Sequence, residues 1–237
     1  MVRAVLFDLD GTLFPVDTDA FIAGYMKRLA EFSAHLVAPE TFTEALWEST
    51  MAMIRNTDPA LTNEEVFWAH FSRRLGRPRE ELEPHFLRFY RQEYPRLRPA
   101  DLDRAPASRA AVEAATRRGC AIVLATNPLF PAEAIRERMR WAGVLDYPWA
   151  VVTTIENMHA CKPRLEYYEE VLGRLGLRPE ECVMVGNDVE EDGVAARLGM
   201  PVYIATDFLI DRRGTGPPAD SGPLAAFPGW LENRFGA

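Results

Sequence analysis

The sequence predicts a doubly wound α/β fold: a parallel sheet with helices on both faces, interrupted early by an all-helical insertion. Three observations carry that expectation. Short apolar runs that are continuous rather than alternating recur along the chain, and stretches of helical periodicity separate them. The interval after the first run, about 80 residues long, shows helical periodicity alone. Continuous runs rich in Val and Ile are how strands covered on both faces read, and strand alternating with helix is the pattern of βαβ units.

The runs are residues 3–7 (RAVLF), 121–125 (AIVLA), 150–152 (AVV), 182–185 (CVMV) and 202–205 (VYIA). Helical patterns occupy 108–118, 131–141, 164–175 and 189–198, several followed by a glycine (Gly119, Gly143, Gly176, Gly199) of the kind that closes a helix. Within the insertion Phe21, Tyr25, Leu29, Phe32 and Leu36 fall on one helical face. Thr62-Asn63-Glu64-Glu65 has the form of a capping box ahead of Val66, Phe67 and Phe71, and Pro78 opens a helix carrying Leu82, Phe86, Leu87 and Tyr90. A Pro-containing stretch, 94–106, returns the chain to the sheet, and the Gly- and Pro-rich stretch 213–223 reads as a loop. The expected division is therefore an α/β core of residues 1–14 and 99–237 and an all-helical cap domain of residues 15–98.

Composition sets outer limits. At roughly 150 residues per domain, 237 residues make one domain with a large insertion or two small ones. A 48% hydrophobic and 26% charged chain is ordinary globular material. No apolar run approaches the ~20 residues of a membrane span, and the start, MVRAVLFDLDGTLF, does not read as a secretory signal. The balance of 27 basic against 35 acidic residues, −8, disfavours a nucleic-acid partner. Cys120, Cys161 and Cys182 lack metal-site spacing and read as reduced thiols, so a cytoplasmic setting is expected. Only Lys27 and Lys162 among the 27 basic residues are lysines.

In a doubly wound sheet ligands collect at the carboxyl ends of the strands. Asp8-Leu9-Asp10-Gly11-Thr12 follows the first run, Thr126-Asn127 the second, and Gly186-Asn187-Asp188 with Asp192 the fourth. Cys161-Lys162-Pro163 stands ahead of a helical pattern. Carboxylates gathered at one site repel one another unless a cation is present, and hard oxygen donors without paired histidines or thiolates point to Mg²⁺ rather than zinc. Mg²⁺ bound by few carboxylates is completed by water and phosphate, so phosphoryl chemistry is expected.

These residues resemble the haloacid dehalogenase-like (HAD) hydrolases. Asp8–Phe14 is similar to that family's first motif, hhhhDxDGT; Ala125-Thr126-Asn127 resembles the second, Lys162-Pro163 the third, and Val185-Gly186-Asn187-Asp188 with Asp192 the acidic fourth. The resemblance implies a HAD-type Rossmann-like core with a C1 helical cap and a small phosphorylated metabolite as partner. It gives Asp8 the nucleophile's role, forming an aspartyl-phosphate, and gives Asp10 that of general acid and then base, with Gly11 and Thr12 in support. Mg²⁺ would be held by Asp8, by the Asp10 backbone carbonyl and by Asp188, supported by Asp192. Thr126 and Asn127 would bind the phosphoryl oxygens and Lys162 would neutralise their charge. In the fourth motif Asn187 stands where an acid is usual, which leaves Asn187 as the alternative to Asp188.

Other readings start from the same residues. A sugar-phosphate mutase would pass the phosphoryl group to another hydroxyl, and a non-catalytic binding protein would keep only the scaffold. A dehalogenase needs no acid at Asp10, and a phosphonate hydrolase would need a cap lysine, for which Lys27 is the single candidate. Glu190 and Glu191 read as solvated acids of a helix start. His35, His70, His85 and His159 lack ligand spacing. Trp47, Phe67, Trp68, Phe86, Phe89 and Tyr90 read as cap core, and Lys27 and Arg55 as candidate cap contacts to an anionic substrate.

Overall fold

The structure, a computed structural model, describes residues 1–100, 102 and 106–236. Its centre is a sheet of six strands, all paired in parallel, in the order β3-β2-β1-β4-β5-β6. The strands are β1 (Ala4–Phe7), β2 (Ala121–Leu124), β3 (Trp149–Val152), β4 (Cys182–Gly186), β5 (Val202–Ala205) and β6 (Ser221–Gly222). All four residues of β1 and all five of β4 are buried, which explains why neither alternates in sequence.

The order of the strands decides where a ligand can sit. From β1 the chain steps outward to β2 and β3, then returns to lay β4 against the other edge of β1. That reversal opens a crevice beyond the carboxyl ends of β1 and β4, the place where open α/β sheets bind ligands. Register makes the ends level: Phe7 pairs with Leu124 on one side and with Val185 on the other. The Asp8 N–H donates to the Val185 carbonyl at 2.8 Å, and the Ala125 N–H donates to Phe7 at 2.7 Å. Asp8, Thr126 and Asn187 are thus the first groups released from the ladder.

Four helices fill the interval after β1: α1 (Thr18–Ser33), α2 (Pro39–Arg55), α3 (Asn63–Leu75) and α4 (Arg79–Gln92). Asp17 caps α1 through its side chain, and the Thr62/Glu65 capping box is present in both directions at α3. The free N–H groups at the start of α3 donate to the core, Asn63 to Met158 at 2.8 Å and Glu64 to Ile155 at 2.9 Å. An aromatic seam joins the same two parts: Phe14 meets Phe21 at 5.4 Å, Tyr25 meets Phe130 at 5.1 Å, and Tyr94 stacks on Trp141 at 5.6 Å. The return stretch expected over 94–106 opens with a 3₁₀ turn at Tyr94–Leu97, while its residues 101 and 103–105 lie outside the described residues.

The core helices are α5 (Pro106–Arg117), α6 (Ala132–Trp141), α7 (Leu165–Leu175) and α8 (Phe227–Phe235). Two expectations are corrected. Residues 189–198 do not form one α-helix: tight turns run to Asp192, and only Gly193–Leu198 coils, as 3₁₀ helix. Asp188 causes this, since its carboxylate accepts the N–H groups of Glu190 at 2.9 Å and Glu191 at 2.8 Å and closes a turn instead of starting a helix. The stretch 213–223 is not loop throughout, because Ser221–Gly222 adds the sixth strand beside β5. Cys120, Cys161 and Cys182 are buried and unpaired. Among the described residues no helix is long and apolar enough to cross a membrane.

Candidate functional site

The residues singled out at the strand ends meet. A cavity of about 300 Å³ at the β1/β4 crevice is lined by Asp8, Asp10, Thr126, Asn127, Asp188 and Asp192, with Asn187 and Glu191 beside them. Lys162 reaches the same point from the loop before α7: its Nζ donates to Asp8 Oδ1 at 3.0 Å and to Asp192 Oδ1 at 2.6 Å, and only 1% of the residue is exposed. The second Asp192 oxygen accepts the Asp188 N–H at 3.0 Å. Asp192 therefore holds Lys162 in place and pins the β4 turn at once. Thr126 is buried at the tip of β2, its carbonyl fixed by the hydroxyls of Thr153 at 2.7 Å and Tyr167 at 2.9 Å.

Backbone conformation near the site is set by glycine. Gly11 has φ +78°, and a Cβ there would collide with the side-chain amide of Asn187. The turn it makes brings the Thr12 hydroxyl under both strands, donating to Asn187 Oδ1 at 3.0 Å and lying 3.4 Å from Asp8 Oδ2. Gly186 is required for a different reason, since a Cβ would run into the Asp192 carboxylate.

Burial dominates the electrostatics. It raises the Asp8 carboxyl, with Lys162 opposing and Asp10 adding to the rise. Asp192 is pushed up to about 6 by burial, against the pull of Lys162. Lys162 is the reverse case: burial works against its charge, yet Asp192 and Asp8 hold its pKa well above the ordinary value. Asp10 is raised by burial and drawn back by Arg138. A cluster of acids whose ionisation is shifted this way by burial and by neighbouring charges marks a candidate functional site.

The donor chemistry agrees with a hard divalent ion in limited form. Asp8 and Asp188 both line the cavity. Asp8 Oδ1 accepts from Lys162, while Asp188 Oδ1 accepts from Glu190 and Glu191 and its Oδ2 is paired with Arg212. Both Asp192 oxygens are turned to Lys162 and the Asp188 N–H. Among the described residues no three His, Cys, Asp or Glu side chains form a ready metal cluster. Two carboxylates completed by water and a substrate phosphate are the usual arrangement for Mg²⁺, and these residues fit it. The Asn187 amide is engaged on both sides, with Thr12 and with the Phe208 carbonyl at 2.6 Å.

A model of haloacid dehalogenase-like hydrolases matches residues 2–199. The chain belongs to the haloacid dehalogenase-like hydrolase family. A ribulose-1,5-bisphosphate 5-phosphatase of Halopiger xanaduensis is 29% identical over 199 residues, covering 81% of this chain and 79% of that protein. Among solved structures, a 2-haloacid dehalogenase from Pseudomonas syringae superposes with TM-score 0.63 at 20% identity, over 99% of this chain and 100% of that one. A HAD phosphatase from Thermococcus onnurineus gives TM-score 0.55 at 22% identity, over 99% and 98% of the two chains.

Three features of this hydrolase's site were not anticipated. Arg138, on α6, is fully buried and paired with Asp10 Oδ2, its guanidinium 4.2 Å from the Phe130 ring. The other Asp10 oxygen has no hydrogen-bond partner. A signal existed: Ala134, Ile135, Arg138 and Trp141 share the buried helical face, so an arginine stands in an apolar stripe. Glu191 is not a solvated acid. The turn at Asp188 directs it into the cavity, where the Asn127 side chain donates to it at 2.9 Å and burial raises its carboxyl to about 7. Arg212, beyond β5, pairs with Asp188 at the rim, and nothing in the local sequence marks it.

The cap-side expectations also need correction. Trp47 is 57% exposed and lines the cavity, whereas Phe67, Trp68, Phe86 and Phe89 are buried as expected. Lys27 and Arg55 are exposed and line no part of the cavity. His85 and His70 are packing residues, bonded to Ser33 and Ser49 at 3.0 Å each, and His159 pairs with Glu170 at 2.9 Å.

Proposed function

We propose that this hydrolase is a Mg²⁺-dependent phosphatase of small phosphate monoesters, with Asp8 as its nucleophile. The observation that carries the reading is the meeting of Asp8, Asp10, Thr126, Asp188 and Lys162 at one cavity over the β1/β4 crevice. The likeness to a named ribulose-bisphosphate phosphatase supports phosphate-ester rather than carbon–halogen cleavage. The three unpaired, buried thiols accord with a cytoplasmic setting.

In the first step an Asp8 carboxylate oxygen forms a bond to phosphorus as the ester P–O bond breaks. Asp10, protonated, gives its proton to the leaving oxygen. In the second step Asp10 takes a proton from water as that water attacks phosphorus and frees Asp8. Lys162 balances the charge of the phosphoryl oxygens, and the Thr126 hydroxyl donates to one of them. The Asn127 side chain, tied to Glu191 and to the Lys162 N–H at 3.2 Å, holds the loop rather than the substrate. Asp8, the Asp10 carbonyl and Asp188 would hold the Mg²⁺ ion, which when bound supplies positive charge that offsets the acids and the phosphate. Residues 15–98 act as the cap that keeps bulk water from the first step.

Arg138 is the positioning residue for Asp10. It grips Oδ2, while the other oxygen, Oδ1, is buried beside it without a hydrogen-bond partner. Phosphate release from p-nitrophenyl phosphate tests the function: turnover with Mg²⁺, loss with EDTA and loss in Asp8→Asn are expected. Undiminished turnover in Asp8→Asn would remove the nucleophile from this account.

A further inference from the structure

The helical segment supplies the wall of the cavity opposite Asp8, and that wall is Ile22, Met26, Leu46, Trp47 and Ile54 with the hydroxyls of Thr18 and Thr50. Among the described residues no lysine or arginine belongs to it, and its one charged side chain is Asp19. A second cavity, of about 220 Å³, adjoins the first and shares Tyr25, Leu46, Thr50 and Leu129 with it. Phe67, Trp68 and Phe86 line this chamber together with four carboxylates, Glu64, Glu83, Glu133 and Glu156. Arg79 answers two of them, Glu64 at 2.7 Å and Glu83 at 2.6 Å. The cation at the rim, Arg212, is paired with Asp188 and also lies under the influence of Glu191 and Asp19.

An anion on the leaving-group side would therefore meet hydrocarbon first and carboxylates next. An unpaired charge in such surroundings is strongly disfavoured, whereas an alkyl or aryl group gains from leaving water there. We infer that the leaving group is an uncharged, largely apolar alcohol, and that monoesters with a second phosphate or a carboxylate at the far end are rejected. The inference rests on the phosphatase reading above and sets this chain apart from its 29% identical relative, which is named for a bisphosphate. Lys162 and Arg138 do not alter it, because both are committed to the phosphoryl end through Asp8, Asp192 and Asp10.

The test uses esters that differ only at the far end: n-hexyl phosphate, hexanediol bisphosphate and the hexyl phosphate bearing a terminal carboxylate. Leaving-group basicity is then matched, and kcat/KM for n-hexyl phosphate should exceed the other two by about tenfold or more. Ile54→Arg, or Thr50→Lys where the first variant fails to fold, should shrink that ratio by supplying the missing cation. Binding gives a readout independent of turnover: Asp8→Asn, titrated by calorimetry, should bind hexylphosphonate more tightly than the corresponding bisphosphonate. Equal or better use of the bisphosphate, with equal or tighter binding of the bisphosphonate, overturns the inference. Absence of turnover on every ester, with the binding preference intact, would instead overturn the phosphatase reading and leave the ligand preference standing.

Discussion

At the scale of single residues the site is built on buried ion pairs, Asp8 and Asp192 with Lys162 and Asp10 with Arg138. Removing one partner strands the other, a loss on the order of 3–5 kcal/mol for buried pairs. Arg138→Met should accordingly lower stability and also disturb chemistry in a selective way. Loss of the grip on Asp10 should reduce kcat/KM for an alkyl phosphate by about 10²-fold or more, and much less for p-nitrophenyl phosphate, whose leaving group needs no proton. Arg138→Lys should restore part of the alkyl rate. Equal losses on both substrates would mean that Arg138 has a structural role only. Glu191 makes a prediction about pH. Its carboxyl stands at about 7 in the fold against an ordinary 4.5, so the folded state holds the proton more tightly than the unfolded chain. Stability contributed by this group is thus fully present below about 4.5 and is lost as pH rises toward 7, by up to about 3 kcal/mol. Urea unfolding of the protein in EDTA should show this decline on top of that from Asp192, whose carboxyl stands at about 6. Glu191→Gln should make the slope shallower between about pH 6 and 7. Asp8 and Asp10 were legible in the sequence because a strand end fixes where they point. Glu191 was not, because its direction depends on whether the backbone after Asp188 turns or coils, and two N–H bonds to Asp188 decide that.

Among the elements, the first five strands were readable to within a residue or two, since continuous apolar runs leave little choice once both faces are covered, whereas β6, only Ser221–Gly222, carries no such run. Boundaries moved where a side chain competed with the ladder or helix, as at Asp188. The helix α8 escaped notice: its buried residues are only Phe227 and Leu231, too few to establish a period. The start of α3 shows how an element serves the whole. The Thr62 side chain and Glu65 satisfy each other's backbone N–H groups, while the next N–H groups bind Met158 and Ile155 in the core. Thr62→Ala should cost about 1 kcal/mol, or about 2–4 °C in Tm for a chain of this size. Differential scanning calorimetry checks it, and an unchanged Tm would show that this contact does not anchor the helical segment.

For the whole molecule, topology does the placing. A sheet that reverses direction at β1 brings residues 8, 126 and 188 to one crevice from positions far apart in the chain, and the parallel register keeps their strand ends level. That much follows from the order of runs and motifs. What covers the crevice does not: Trp47 reads as core by composition but lies exposed on the cavity, and which residues of a helical segment face a distant strand end is set by packing between elements. The central claim concerns Asp8. Enzyme mixed with ³²P-labelled phosphate monoester and Mg²⁺, then quenched in acid within milliseconds, should carry label that is released by hydroxylamine and maps to the peptide containing Asp8. No protein-bound label during turnover, or label on any other residue, would contradict the account.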